Sequence, residues 1–384
     1  MNNFTYHNPT RVVFGKGTAG HARKYLDPQK RVLLLYGRGS VKNNGVYEQV
    51  LGGLPTPPVL EFGGIEPNPE YETCMRGVEA AREAGIDFIL AVGGGSVIDA
   101  AKFIAAAIPY RESDPWDILE KGAAMSAAIP LGTVLTLPGT GSEANAASVI
   151  SRRARQQKLA FIHPRVQPVF SILDPETTYS LPVRQTVNGV VDAFSHVIEQ
   201  YMTYPVDSPL QDRQAEAVLL TLIEEGPRAV AQPRDYNARA NVMLAAMWAL
   251  NGHLSCGVPG DWSTHMIGHE LTAFFGIDHA RSLAVVMPAL LREQSAAKHA
   301  KLLQFARRVW GVTAEDEGTA VEEGITAMET FFHDLGVETK LSAYDVTLEK
   351  TAPIVGRFRT AAARLGEHGD LDADRIEAIF RACA

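Results

Sequence analysis

The chain has 384 residues, 46% of them hydrophobic and 21% charged, with a formal net charge of −8. That length exceeds what one core usually organises, so two domains are expected. The acidic balance excludes the clustered-cation surface that nucleic acid or an anionic membrane requires.

Cys74, Cys256 and Cys383 are odd in number and form no CxxC pair, so neither a disulfide framework nor a thiolate zinc site is expected. Met1 to Lys16 lacks the apolar core of a signal peptide, and no run of about 18 apolar residues follows. A cytoplasmic protein acting on small solutes is the expectation.

In the first half, short apolar runs alternate with amphipathic stretches, the pattern of βα units on a parallel sheet. Arg31–Tyr36, Val59–Phe62, Asp87–Val92, Ile129–Leu135 and Val169–Leu173 read as strands. Tyr71–Ala84 carries Met75, Val78 and Ala81 at helical spacing, as a crossover helix does. Beyond Asp174 the character changes to helical periodicity: Thr186–Met202, Asp212–Glu225, Ala238–Asn251, Asp261–Thr272 and Ala300–Trp310 are expected helices. A domain boundary is placed near residue 178.

Three glycine-containing loops follow expected strands. Gly93-Gly94-Gly95-Ser96 stands between an apolar strand and the helical run Val97–Ala107. Glycine there permits close backbone approach, and the exposed N–H groups of a helix start favour a pyrophosphate. The loop is not GxGxxG, and it could serve chain reversal alone. Asp99, in the first turn, either complements the helix dipole or lies beside a cofactor. Gly37-Arg38-Gly39-Ser40 carries donors where NAD-selective enzymes place an acid, which favours NADP. Thr136 to Glu143, with Thr140, Gly141 and Ser142 between, is expected to join a strand to a helix.

In the second half, Asp192 and His196 stand at i and i+4 on an otherwise apolar helix, and His265 and His269 repeat that spacing. His279 follows in the expected loop Gly276–Ala280. One carboxylate with several imidazoles is a donor set for Zn²⁺ or Fe²⁺ rather than Ca²⁺ or Mg²⁺.

With GGGSVIDAAK, LPGTGSE, NGVVDAFSHVIE and HMIGHELTAFFGIDHA on one chain, the sequence resembles the iron-containing, or group III, alcohol dehydrogenases, in the branch of NADPH-linked aldehyde reductases and butanol-dehydrogenase-like enzymes. The resemblance implies a dehydroquinate synthase-like fold: an α/β dinucleotide-binding domain with a Rossmann-like parallel sheet over 1–178, and an all-α C-terminal domain over 179–384. It implies metal ligation by Asp192, His196, His265 and His279, which leaves His269 beside the nicotinamide and substrate as a catalytic residue, with Asp99. Gly94, Gly95, Ser96, Asp99, Thr136, Thr140, Asn145 and Lys158 would bind the cofactor, joined by Asn68 and by Gly37, Arg38, Gly39 and Ser40. Arg38 departs from the small residue that the NADP-using branch usually has there.

The implied activity is metal-dependent, NAD(P)H-linked interconversion of short- to medium-chain aldehydes and primary alcohols by a homodimer holding one Fe²⁺ or Zn²⁺. Leu254, Trp262, Ile267, Phe274, Phe275 and Ile277 surround the histidines in sequence and suggest an apolar pocket. Glycerol dehydrogenase-like polyol oxidation is the nearest alternative, and a non-catalytic nucleotide- and metal-binding protein is one of another class. A lyase of the dehydroquinate synthase kind is disfavoured, because only Arg184 is basic within 183–200 and only Arg281 within 252–282.

Overall fold

Continuous apolar runs become strands covered on both faces, which is what a parallel sheet between helices demands of its sequence. The computed structural model describes all 384 residues. Its main sheet contains β1 (Arg11–Phe14), β2 (Val32–Gly37), β3 (Leu60–Ile65), β4 (Phe88–Gly94) and β5 (Leu131–Leu137). A hairpin of β6 (Ala147–Arg152) and β7 (Gln157–Ile162) pairs antiparallel on its own, and β8 (Phe170–Leu173) returns to the main sheet. The six main strands run parallel in the order β1-β8-β5-β4-β2-β3.

Alternation along the strands sorts side chains to two faces. Val32, Leu34, Leu90 and Val92 meet α1 (Ser40–Asn43) and α2 (Val46–Gly52) through Val41, Val46 and Val50. Leu33, Leu35, Ile89 and Ala91 meet α3 (Tyr71–Glu83) and α4 (Gly95–Ala107), with α5 (Asp117–Glu120) at the margin of the same layer. The chain leaves β2 for β3 on one side and then crosses to β4 on the other. The crevice beyond the carboxyl ends of β2 and β4 is therefore the switch point where open α/β sheets collect ligands. Both early glycine loops end there.

From residue 183 onward every regular element is helical: α6 (Val183–Tyr201), α7 (Pro209–Ala231), α8 (Tyr236–Ala249), α9 (Ser263–Phe275), α10 (His279–Glu293), α11 (His299–Arg308), α12 (Glu317–Asp334), α13 (Ala352–Thr360) and α14 (Ala373–Cys383). They share one core, to which α6 contributes Val190, Val191, Phe194 and Val197. Met243 and Met247 of α8 pack instead into the sheet's core, so α8 joins the two halves. No helix is long and apolar enough to cross a membrane.

The main differences from the sequence reading are local. Strand β1 and the β6–β7 hairpin went unrecognised, because β1 is only four residues long and the hairpin is rich in Ser, Arg and Gln. The Thr136–Glu143 segment leads to one 3₁₀ turn, Ser142–Ala144, and then to β6 rather than into a helix. His279 is the first residue of α10 rather than part of a loop.

The halves meet closely where the loop after β5 rests on α6. A methyl group on Gly189 would lie 2.1 Å from the Pro138 carbonyl oxygen, and one on Gly139 would lie 3.0 Å from the Gly189 Cα. Gly189→Ala is therefore expected to destabilise the protein by about 1–3 kcal/mol or more, because backbone rather than a movable side chain blocks the methyl. Gly356 in α13 has nothing within 4 Å of an added methyl, so Gly356→Ala should raise stability by about 0.5–1 kcal/mol. Thermal melts of both variants give the check; a parental melting temperature for Gly189→Ala would show that the contact is loose.

Candidate active site: a buried carboxylate among imidazoles

Helix α6 brings Asp192, His196 and Glu199 onto one stripe by their i, i+4, i+7 spacing. Asp192 and His196 are 5% and 4% exposed. Across from them, α9 contributes His265 and His269, and α10 begins with His279. His196 Nε2 lies 3.8 Å and His279 Nε2 3.7 Å from the same atom, Asp192 Oδ1. Asp192, His265 and His279 each offer one ligand atom, all within 4.8 Å of one another. The His196 and His265 rings stack with centroids 4.7 Å apart. Ligand bonds of about 2.1 Å at tetrahedral angles put neighbouring donor atoms roughly 3.4 Å apart, so a small inward movement of these groups fits one ion.

Each element is braced. Glu199 Oε1 accepts from the His265 backbone N–H at 2.8 Å and lies 2.9 Å from Nδ1 of the same ring. That leaves His265 Nε2 facing the cluster, and it has no hydrogen-bond partner; neither has Asp192 Oδ1. A carboxylate on the far nitrogen of an imidazole is the arrangement that orients metal-binding histidines. At the start of α10, Asp278 Oδ2 accepts from Arg184 Nε at 2.8 Å and Asn188 Nδ2 at 3.0 Å. Two residues of α6 thus hold the first turn of α10, and His279, opposite Asp192.

Burial sets the protonation states. It pushes His196 down to about 4, opposed by Asp192, and His265 down to about 3, assisted by the Lys158 charge. His269 and His279 are driven well below the ordinary histidine range for the same first reason. All four rings are neutral near pH 7, the form in which imidazole binds a metal. Burial raises Asp192, with His196 and Lys158 opposing. A buried carboxylate with an orphaned oxygen beside neutral imidazoles is a donor set that a divalent ion fits.

The dinucleotide-side residues gather around the switch point. A methyl group on Gly95 would lie 2.4 Å from Thr140 Cγ2, and one on Gly94 would lie 2.8 Å from Leu137 Cβ, so the loops after β4 and β5 adjoin. Ser96 Oγ accepts from the Asn68 N–H at 3.3 Å, bringing in the loop after β3, where Asn68 adopts φ 53°. Thr136, 8% exposed, ends β5 beside them. Asn145 Oδ1 accepts from Lys102 Nζ at 3.0 Å. Asp99 is buried, accepting from the Ser142 hydroxyl at 2.6 Å and the Val149 N–H at 3.1 Å, so it braces α4 against β6. Burial pushes the Lys158 ammonium, on β7, down to about 8, opposed by the Asp192 and Asp99 charges. Gly37, Arg38, Gly39 and Ser40 follow at the end of β2, where a methyl group on Gly37 would lie 3.6 Å from Val97 Cγ2 of α4; Gly39 has φ 100°, and Arg38 is exposed without an ion-pair partner.

Several expectations need correction. Leu254, Ile267 and Ile277 belong to the helical core, and Phe274 and Phe275 pack against that core from outside. Phe274 also lies under Arg357, 4.6 Å from ring centroid to guanidinium carbon. On α9, Ile267 stands two residues from each of His265 and His269 and is therefore turned to the other face. Only Trp262 stays at the cluster, its ring 5.4 Å from His265 and 6.4 Å from His196, on a backbone at φ 64° that costs about 1–3 kcal/mol for a non-glycine residue.

The sequence reading also missed the acid nearest the β2 loop. Glu61 on β3 accepts from Tyr47 at 2.7 Å and Tyr36 at 3.3 Å and pairs with Lys42 at 3.5 Å. Glu199 was equally unseen, although its place seven residues after Asp192 was a readable signal. Lys102 was another, fully buried and bonded to Ser142, Asn145 and the Ala147 carbonyl.

Comparison with known proteins agrees with this geometry. The family description "Iron-containing alcohol dehydrogenase" matches residues 9–175, and "Fe-containing alcohol dehydrogenase family, C-terminal" matches 186–384. The chain is 52% identical over the full length of both proteins to the NADPH-dependent aldehyde reductase YqhD of Escherichia coli. It is 41% identical, again over both full lengths, to a probable NADH-dependent butanol dehydrogenase of Bacillus subtilis. The crystal structure of E. coli K-12 YqhD superposes with a TM-score of 0.98, covering 100% of this chain and 99% of that one. Its matched halves and buried donor cluster place the chain in the iron-containing alcohol dehydrogenase family, as an oxidoreductase.

Proposed function

We propose that this protein reduces short- and medium-chain unbranched aldehydes to primary alcohols with NADPH, using one divalent ion, Fe²⁺ or Zn²⁺, held by Asp192, His196, His265 and His279. The observation that carries the reading is the convergence of two imidazole Nε2 atoms on the orphaned Asp192 Oδ1, with His265 Nε2 equally free. When bound, the ion supplies Lewis acidity toward a carbonyl oxygen and the dinucleotide supplies the hydride.

The chain's own groups do the rest. Glu199 keeps the proton of His265 on Nδ1 and so leaves Nε2 free. His269, its ring 5.1 Å from His279 and neutral, stands one turn along α9 to orient the substrate oxygen through a ring nitrogen. Trp262 shields the side of His196 and His265 from water. Gly94, Gly95, Ser96, Asn68, Thr136, Thr140 and Asn145 line the dinucleotide crevice. Lys158, whose ammonium feels the Asp192 and Asp99 charges, offers its donors to ribose or carboxamide oxygens.

NADPH is preferred over NADH in this reading because Arg38 and Ser40 are free to meet a 2′-phosphate, while Glu61 is occupied by Tyr36, Tyr47 and Lys42. Charge-assisted bonds contribute on the order of 1.5–3 kcal/mol, or roughly tenfold to a hundredfold. Arg38→Ala is expected to lower kcat/KM for NADPH by about that factor and leave NADH unchanged. Steady-state kinetics with butanal, glycolaldehyde and glycerol are the test. Equal kcat/KM for both cofactors, or a higher value for glycerol oxidation than for butanal reduction, would refute the reading.

We also propose a homodimer joined through β1. As the outermost strand it leaves one row of backbone groups unpaired, and Val12 and Phe14 on it are 38% and 39% exposed, with Phe4 nearby in sequence at 54%. Light scattering should give twice the chain mass for the parent and the chain mass for a Val12→Lys, Phe14→Lys double variant. A parent of single-chain mass contradicts the pairing.

A further inference from the structure

Lys298 lies far from the ligand cluster in sequence, just before α11, and its side chain is 2% exposed. Its ammonium donates to Asp261 Oδ2, to both carboxylate oxygens of Glu367 and to the Met202 carbonyl, each at 2.7 Å. Asp261 and Glu367 are as buried as the lysine, at 4% and 3% side-chain exposure. One cation therefore joins the end of α6, the turn before α9 and the segment between α13 and α14.

Two of those segments carry the cluster. Met202 closes α6, the helix of Asp192, His196 and Glu199. Asp261 opens α9: its Oδ1 accepts from the Ser263 N–H at 2.8 Å, and its own N–H donates to the Glu199 carbonyl at 2.8 Å. Between Asp261 and Ser263 stands Trp262, in the left-handed region at φ 64°, a conformation that persists only where surroundings enforce it. The first turn of α9 then delivers His265, whose amide and ring both meet Glu199. Removing the ammonium would leave Asp261 and Glu367 facing each other buried and uncompensated, and the turn between Asp261 and Ser263 would have to move.

We infer that Lys298, with Asp261 and Glu367, is a positioning clamp for His265, so that the tightness with which the protein holds its ion is set in part by the C-terminal segment bearing Glu367. This rests on the ligand assignment proposed above. The three residues do not touch the ion; they act through the α9 turn and the Glu199–His265 pair. Direct partners of a ligand, as Glu199 is of His265, change metal affinity about tenfold to a hundredfold, and the clamp acts one layer beyond Glu199, so its effect is expected below that range.

The test uses full-length protein stripped of metal, with Zn²⁺ affinity read by chelator competition and Co²⁺ binding read by its visible ligand-field bands. Lys298→Met and Glu367→Ala should weaken Zn²⁺ binding by a factor of roughly three to ten and shift the Co²⁺ bands, while NADPH affinity stays within twofold of the parent. A purely structural cluster would lower the melting temperature and leave both metal readouts at parental values, and that result overturns the clamp. Should Lys298→Met fail to fold, Glu367→Ala decides alone, since its carboxylate lies on a connecting segment and leaves the Lys298–Asp261 pair in place. If the parent binds Zn²⁺ no better than a His265→Ala variant, the ligand assignment itself fails, an outcome distinct from parental tightness that the clamp variants retain.

Discussion

Asp192 is the residue on which the arrangement depends. Asp192 is 5% exposed, one of its oxygens has no hydrogen-bond partner, and two imidazole nitrogens lie within 3.8 Å of that oxygen. Desolvating such a charge costs several kcal/mol unless a cation returns the interaction. The surrounding protein is built to keep the carboxylate there: α6 is apolar on either side of it, Glu199 and Asp278 fix the two histidines opposite, and the neutral rings present lone pairs rather than protons.

The same helix explains how a site in the helical half serves a ligand bound in the other. Gly189 lets the loop after β5 lie directly on α6, three residues before Asp192, and a methyl group on Gly139 of that loop would come within 3.3 Å of Asp192 Oδ2. The loop after β5 also touches the α4 glycines through Thr140. The Lys158 ammonium, buried on β7, feels both the Asp192 charge of the helical half and the Asp99 charge of the sheet half. Water exclusion and alignment follow from that proximity, the two contributions a protein makes to hydride transfer.

Much of this was legible in the sequence, for physical reasons that also mark its limits. Strands buried on both faces read as unbroken apolar runs, so β2, β4, β5 and β8 were evident, while the four-residue β1 and the polar hairpin carrying Lys158 were not. The clustered histidines announced themselves because polar residues at helical spacing stood in apolar surroundings. Glu199 obeys the same spacing, yet a carboxylate near a helix end is ordinary and drew no notice. Which neighbours line a pocket is set by side-chain direction, and Ile267, on α9 between His265 and His269, faces the core, as do Ile277 and Leu254 on connecting segments. Glu61 and Lys298 act entirely through contacts distant along the chain, and nothing local distinguishes them from surface charges.

Anomalous diffraction from crystals of the protein purified without added chelator, recorded on both sides of the iron and zinc absorption edges, examines the central claim directly. The account predicts one peak per chain within about 2.3 Å of Asp192 Oδ1 and of a ring nitrogen of each of His196, His265 and His279. A metal-replete protein whose ion lies elsewhere, or whose ion leaves Asp192 uncoordinated, would contradict it.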